Sequence, residues 1–304
     1  MTKIFSSSTP LLIVGALFLA SASVAQKPAP KPKVTSKPIV FAVLHGGKRV
    51  EPIGAIESGK LVEPAAEEAE AKVFAASHYK LGSSYTLVFG GAADGKLAIV
   101  KSNIGTECGG MSAETSAQPT KAKISGLVMA LATDARIGSE APGYRRKPTA
   151  GERAEIEKLV RAEYTKKGVS AATLKNLRYQ NLTALDVDGD NVAEFVGSYW
   201  IAPRPDQRRL LFFIAEQDSK GNFTFPLSDY SPIKTDDVMS GDVKDLDTGV
   251  GHELLLDVLD LDNDGVKEIF TIGQAFEGNN YYVYRRSAGK WTKIHESYSY
   301  RCGY

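Results

Sequence analysis

Two nine-residue segments decide the fold expected of this chain: Asp186-Val-Asp-Gly-Asp-Asn-Val-Ala-Glu194 and Asp260-Leu-Asp-Asn-Asp-Gly-Val-Lys-Glu268. Each carries acidic residues at positions 1, 3, 5 and 9, and each is flanked by aliphatic and aromatic runs typical of β-strands. Carboxylates this close would repel one another unless a cation lay between them. Acids at alternate positions of a tight loop suit Ca²⁺, which takes about six to eight oxygen ligands.

An EF-hand is excluded by position 12, where the calcium loop of that motif needs a bidentate glutamate. This chain has Gly197 and Thr271 there. The residues after each segment favour a strand over a helix, so Glu194 and Glu268 are expected to begin strands. Each segment is therefore predicted to join two strands of a hairpin. The alternative is a metal-free turn, because Asp, Asn and Gly also favour turns for backbone reasons alone.

The predicted calcium ligands are the acidic side chains of both segments and the backbone carbonyl at position 7, with a water completing the shell. They are Asp186, Asp188, Asp190, Val192 and Glu194 in the first segment and Asp260, Asp262, Asp264, Val266 and Glu268 in the second. Position 6 requires a left-handed or tight turn, which Asn191 and Gly265 supply. Because glycine adopts this conformation more readily, the second loop is predicted to be the better formed. A third acidic stretch, residues 245–253, is attributed to a Gly-rich turn and left out of the ligand set.

The two segments with their neighbours resemble a known repeat. The residues that carry the resemblance are Leu185-Asp-Val-Asp-Gly-Asp-Asn-Val-Ala-Glu-Phe195 and Leu259-Asp-Leu-Asp-Asn-Asp-Gly-Val-Lys-Glu-Ile269, which look like the FG-GAP or VCBS repeats of integrin-type proteins. The resemblance covers the C-terminal region only, within about residues 180–300. It implies calcium-binding loops in propeller-like β units, and a calcium-stabilised scaffold more than a catalyst.

The expected fold is mainly β, and α+β overall. After each segment the sequence repeats the order strand, turn, strand, turn, strand, which predicts antiparallel hairpin repeats. A complete β-propeller is not expected, because even the smallest class has about four blades of four strands. One helix is predicted over residues 150–167, starting at the capping box Thr149-Ala-Gly-Glu152, and its apolar stripe is expected to cover the sheet.

Composition shifts along the chain predict the domain organisation. Residues 39–135 form a separate N-terminal β-rich domain, 136–150 a linker, and 151–304 the helix with the repeats. The cluster Tyr144-Arg-Arg-Lys147 is interpreted as solvated linker. Residues 64–74 have helical composition, with a surface loop as the alternative.

The N-terminus predicts export. Lys3 precedes a short apolar run, and Ser23-Val-Ala25 forms a cleavage site, so residues 1–25 are predicted to be a signal peptide cleaved after Ala25. Residues 26–38 then form a Pro/Lys-rich linker. The mature protein is expected to be secreted or periplasmic without a membrane span, with an uncleaved anchor as the alternative. In an oxidising compartment Cys108 and Cys302 are predicted to form a disulfide, with two free thiols as the alternative.

The predicted function follows from these features together. The near balance of 37 Lys and Arg against 36 Asp and Glu argues against a nucleic-acid partner. No nucleophile elbow, zinc-protease or phosphate-loop motif occurs, so no enzyme activity is expected. The leading hypothesis is an exported recognition or adhesion scaffold, stabilised by two Ca²⁺ loops, with an unidentified protein or glycan ligand. The alternatives are an envelope-associated structural protein and a secreted hydrolase with an unrecognised site. Five aromatic residues could form a recognition surface or pack in the core: Tyr199, Trp200, Tyr281, Tyr282 and Trp291.

Overall fold

The computed structural model describes residues 37–64, 68–137, 143–234, 249–275 and 277–300. Within these residues the protein is mainly β, with sixteen strands in three antiparallel sheets and three α-helices. The described residues belong to one compact unit. None of their helices combines the length and apolar character that crossing a membrane requires. The predicted signal peptide and nearly all of the predicted Pro/Lys-rich linker lie outside the described part of the chain.

The first sheet is a closed barrel with one additional strand. Its strands are β1 (Ile39–Leu44), β2 (Arg49–Glu57), β3 (Lys60–Val62), β4 (Ser84–Phe89), β5 (Ala92–Ser102), β6 (Ala113–Pro119) and β7 (Ala130–Thr133). Strand β1 pairs with both β2 and β7, which closes a ring in the order β1-β7-β4-β5-β6-β2, and β3 extends from β2. Helix α1 (Glu68–His78) follows β3. This helix overlaps residues 64–74, where the composition predicts a helix, so the helix is confirmed over the alternative of a surface loop.

Strand β1 is buried at all six positions, and its unbroken apolar sequence is the reason. Phe41 faces the barrel interior, where its ring stacks on Tyr79 and meets the edge of Phe74. Val40 and Leu44 point out of the barrel into a second hydrophobic cluster. A strand with two buried faces needs apolar residues throughout instead of an alternating pattern.

The second sheet carries the first acidic loop and is covered by helices. Its strands are β8 (Arg145–Arg146), β9 (Arg178–Leu185), β10 (Glu194–Arg204), β11 (Gln207–Gln217) and β12 (Phe223–Lys234), in the order β12-β11-β10-β9-β8. Helices α2 (Ala150–Lys166) and α3 (Ala171–Leu174) pack on one face. Ile156, Val160 and Tyr164 of α2 are buried against strand residues that include Phe195 and Phe213. The predicted covering helix is confirmed.

Helix α2 begins where the capping box predicts. The hydroxyl of Thr149 accepts a hydrogen bond from the backbone N–H of Glu152 at 3.2 Å, and the Glu152 carboxylate accepts one from the N–H of Thr149 at 2.7 Å. These bonds satisfy two donors that a helix start would otherwise leave unpaired.

The third sheet lies between the other two. Its strands are β13 (Glu253–Leu259), β14 (Glu268–Ala275), β15 (Gly278–Ser287) and β16 (Lys290–Tyr300), in that order. Leu255 and Val258 pack with residues of the second sheet, whereas Leu254 and Leu256 pack with residues of the barrel. The layers are therefore helices, second sheet, third sheet and barrel.

The predicted repeat is present. Strands β9 to β12 and β13 to β16 are two four-stranded antiparallel meanders, and in each an acidic loop joins the first two strands. The meanders pack face to face through a cluster that includes Val196 and Ile269. The described residues thus contain hairpin repeats without a complete propeller, as the sequence predicts.

The region predicted to be a linker is partly buried. Arg145 is 6% exposed and pairs with Asp257, which is fully buried, at 2.9 Å. Arg146 makes a bidentate ion pair with Glu152 at 2.7 and 2.8 Å. The interpretation as solvated linker is therefore wrong for Arg145, which is buried against an acid of β13, and Arg146 pairs with an acid of α2. Tyr144 and Lys147 of the same cluster are exposed, as that interpretation predicts. The domain boundaries stay a prediction, although residues of both predicted domains share one hydrophobic cluster.

The segment that carries Cys108 lies against the described end of β16. Cys108 lies between β5 and β6, and Cys302 lies outside the described residues, so the disulfide stays a prediction. Two residues after Cys108, a side chain added at Gly110 would collide with the carbonyl oxygen of Tyr300. The end of β16 therefore lies against the segment that carries Cys108.

Candidate metal centre

Both acidic loops connect paired strands at the start of a meander. The first loop, residues 186–193, joins β9 to β10, where Glu194 pairs with Leu185. The second loop, residues 260–267, joins β13 to β14, where Glu268 pairs with Leu259. The position-9 glutamate begins a strand in both copies, as predicted.

The two loops share one hydrogen-bond pattern. The position-1 aspartate accepts from the N–H of position 6, at 3.3 Å in the first loop and 3.0 Å in the second. The position-9 glutamate accepts from the N–H of position 2, at 3.0 and 2.9 Å. The position-5 aspartate accepts from the N–H of Val192 or Val266, at 2.7 and 2.8 Å. Backbone donors therefore orient the equivalent carboxylates in the same way.

Two residues of each loop have left-handed backbone conformations. Position 6 has φ of 66° at Asn191 and 91° at Gly265, as the sequence predicts. Position 4 also has positive φ, 78° at Gly189 and 60° at Asn263, which the sequence reasoning did not anticipate. Each loop thus uses one glycine and one asparagine in exchanged positions. The argument that the second loop is better formed loses its basis.

The structure brings three predicted acidic ligands together in each loop. The groups are Asp186, Asp188 and Glu194 in the first loop and Asp260, Asp262 and Asp264 in the second, with ligand oxygens within 4.8 Å of one another. Ca²⁺ binds oxygen at about 2.3–2.6 Å, so oxygens on opposite sides of one ion are about 5 Å apart. The spacing in both groups fits a single cation.

Two predicted acidic ligands lie outside these groups. Asp190 is exposed, and its carboxylate accepts the Val192 N–H. Glu268 is buried, and Arg285 holds its Oε1 at 2.6 Å. The two loops therefore have related but different sets of converging oxygens.

One oxygen of the second loop lacks a partner among the described residues. Asp260 Oδ1 is shielded from solvent and accepts no hydrogen bond there, whereas its Oδ2 accepts from the Gly265 N–H. A buried carboxylate oxygen without a donor is destabilising unless a cation satisfies it. The converging ligands are all oxygen, which suits a hard cation such as Ca²⁺ over Zn²⁺.

Burial raises the proton affinity of the position-9 glutamates. It raises the pKa of Glu194 to about 7, against the opposing effect of the Val187 N–H. Burial also raises the pKa of Glu268, while the Leu261 N–H and Arg285 act in the opposite direction. Both carboxylates are thus held where an additional positive charge would stabilise the ionised form.

Arg285 and Arg286 of β15 lie against the loops, which sequence reasoning missed. Arg285 contacts Asp262 Oδ2 at 3.0 Å and Glu268 Oε1 at 2.6 Å. Arg286 contacts Asp188 Oδ2 at 2.7 Å. The only sequence signal for them is an adjacent pair of arginines near the end of a strand that contains three tyrosines.

The two loops also touch each other. The backbone N–H of Lys267 in the second loop donates to the Val187 carbonyl in the first at 2.8 Å. The Lys267 ammonium donates to the Asp186 carbonyl at 3.2 Å. Direct hydrogen bonds therefore join the two loops.

Glu253 at the start of β13 is a further acid outside both loops, and it is partly buried. Its Oε1 accepts from the Thr271 hydroxyl at 2.6 Å and the Tyr284 hydroxyl at 2.8 Å. Burial raises its pKa to about 7, although these hydrogen bonds act in the opposite direction.

Glu253→Gln is expected to stabilise the protein above neutral pH. A carboxyl with a raised folded-state pKa favours the protonated form, so its contribution to stability falls as pH rises from the unfolded pKa near 4.5 through about 7. Glutamine keeps the acceptor oxygen and has no charge to desolvate. The variant should gain up to about 3 kcal/mol over the parent at pH 8 and little at pH 4. Urea unfolding at both pH values in EDTA measures this, with exposed Glu277→Gln as the control. An equal difference at pH 4 and pH 8 would contradict the prediction.

Most of the aromatic recognition candidates belong to the core. Tyr199, Trp200, Tyr281 and Trp291 are buried, and Tyr282 is partly buried. Tyr199, Tyr281 and Trp291 belong to the hydrophobic clusters between the layers, so core packing, the alternative interpretation, accounts for them.

Comparisons with known proteins leave the loops as the main guide to function. No family model, no curated protein and no solved structure matches this chain. The resemblance to FG-GAP or VCBS repeats therefore stays a prediction.

Proposed function

We propose that this protein is an exported, non-enzymatic scaffold whose two acidic loops each bind one Ca²⁺ and thereby stabilise the stacked sheets. The observation that carries the proposal is the repeated loop: two copies of one hydrogen-bond pattern present three carboxylates with oxygens within 4.8 Å. The predicted export agrees with it, because extracellular calcium sites work with dissociation constants of about 10⁻⁴ to 10⁻³ M.

Stabilisation is the role that the position of the loops supports best. Each loop begins a meander, and the two meanders pack through one hydrophobic cluster. Cations in the loops would fix the strand starts and neutralise acids at the junction of the two sheets. Recognition of a protein or glycan is a further hypothesis, and the buried state of the aromatic candidates gives it no support.

Calorimetric titration tests the proposal through stoichiometry. The purified protein is expected to bind two Ca²⁺, and Asp186→Ala or Asp260→Ala should each reduce this to one, because position 1 contributes to each oxygen group. Asp218→Ala is the matched control, since Asp218 is an exposed acid in the β11–β12 turn that accepts similar backbone hydrogen bonds outside the loops. Absence of calcium binding in the parent protein would refute the proposal.

A further inference from the structure

We propose that Arg285 and Arg286 are built-in counter-cations that occupy the two loops without metal and give way to Ca²⁺ when it binds. The inference rests on the proposed calcium sites and specifies how the protein sets their affinity. It assigns the two arginines as residues that position the loop carboxylates and compete with the ion.

The two arginines reach equivalent atoms of the two loops. Arg286 contacts Oδ2 of Asp188, and Arg285 contacts Oδ2 of Asp262, and both aspartates are at position 3. Neighbouring residues of a strand point to opposite faces of its sheet. One pair of adjacent residues in β15 therefore serves the first loop on one face and the second loop on the other.

Each arginine has a second hydrogen-bond partner outside the loop, which it can keep when it leaves the loop aspartate. Arg286 donates to Glu216 Oε2 at 3.1 Å, and Glu216 is itself fixed by the Trp291 indole N–H at 2.6 Å. Arg285 donates to the carbonyl of Gly59, in the turn between β2 and β3, at 3.1 Å. The side chains are 25% and 28% exposed, so water can solvate either guanidinium when it leaves its aspartate. These features suit an exchangeable cation better than a permanently buried one.

Competition is stronger in the second loop. Arg285 bridges Asp262 and Glu268, whereas Arg286 holds a single loop carboxylate, Asp188. Consistent with this, Glu194 converges with the other first-loop ligands and Glu268 does not converge with the second-loop ligands. The first loop is therefore expected to bind Ca²⁺ more tightly, which reverses the order predicted from the glycine at position 6.

Arginine-to-methionine variants test the inference when one loop is examined at a time. Arg286→Met is measured by calcium calorimetry in a chain with Asp260→Ala, and Arg285→Met in a chain with Asp186→Ala. Each is expected to bind calcium about tenfold more tightly than its parent, because a positive charge beside a divalent ion is removed from a partly buried site. In EDTA each should unfold at a lower temperature than its parent, because the loop acids lose their counter-cation.

Two further variants separate charge from packing. Arg286→Lys keeps a cation and is expected to restore an affinity near that of the parent. Arg204→Met removes a guanidinium that pairs with Asp206 on the surface, away from both loops, and should change neither affinity nor stability in EDTA. A purely structural role would lower stability in EDTA without tightening calcium binding.

The outcomes distinguish this inference from the proposed function. If the parent binds calcium and the methionine variants bind it no more tightly, the competition is refuted and the calcium sites stand. If the first loop proves the weaker site in these single-loop chains, the assignment of Arg285 as the stronger competitor is wrong. If neither parent nor variants bind calcium, both proposals fail.

Discussion

Calcium at 10 mM is expected to raise the midpoint of thermal unfolding by about 10–20 °C relative to EDTA. A ligand at about 100 times its dissociation constant stabilises the native state by about 2.7 kcal/mol per site. With constants of about 10⁻⁴ M, two sites contribute about 5 kcal/mol, and each kcal/mol shifts the midpoint by about 2–4 °C in proteins of roughly this size. Differential scanning calorimetry in EDTA and in calcium measures the shift.

Removal of the position-3 carboxylates should abolish most of this shift. Asp188→Ala combined with Asp262→Ala takes one converging ligand from each loop. The control Asp218→Ala should keep the full shift. The prediction fails if the midpoint is the same in calcium and in EDTA, or if the control loses the shift as completely as the loop variant does.

Arg145→Met is expected to lower the free energy of unfolding by about 3–5 kcal/mol, because it leaves the buried charge of Asp257 without its partner. Arg145 Nη1 contacts Asp257 Oδ2 at 2.9 Å and also donates to the Met129 and Leu256 carbonyls. The Gly90 N–H donates to the same carboxylate. Residues of the barrel, the second sheet and the third sheet therefore meet at this ion pair.

Urea unfolding measures this loss, and two comparisons define its cause. Arg204→Met breaks an exposed pair and should cost less than about 1 kcal/mol. Adding Asp257→Asn to Arg145→Met should recover part of the stability, because no unpaired charge then remains buried. A loss below 1 kcal/mol in the single variant would show that Asp257 is not held as a charged group by Arg145.

Local sequence patterns predicted the elements that carry the candidate site. The capping box at Thr149 defined the start of α2 because the bonds involve residues only three apart. Glu194 and Glu268 marked the starts of β10 and β14, because the acidic turn ends where the apolar pattern begins. Left-handed turns at Asn191 and Gly265 followed from residue type. All of these depend on contacts within a few residues.

The arginines that contact the acidic loops could not be predicted in the same way. Arg286 lies 98 residues from Asp188, and no local pattern relates the two. The burial of Arg145 also could not be predicted, because a basic cluster beside Pro and Gly has the composition of a solvated linker. Only the stacking of three sheets brings an acid to it.

The sequence by itself determined two acidic loops, the meanders that they begin and the helix that covers one meander, because hydrophobic periodicity and turn chemistry act over short distances. Only the tertiary structure decided that the third sheet packs between the second sheet and the barrel and that adjacent arginines of β15 neutralise a different loop on each face. The physical reason is that burial and charge pairing across layers depend on which sheet faces meet, and a linear pattern of residues does not specify that choice.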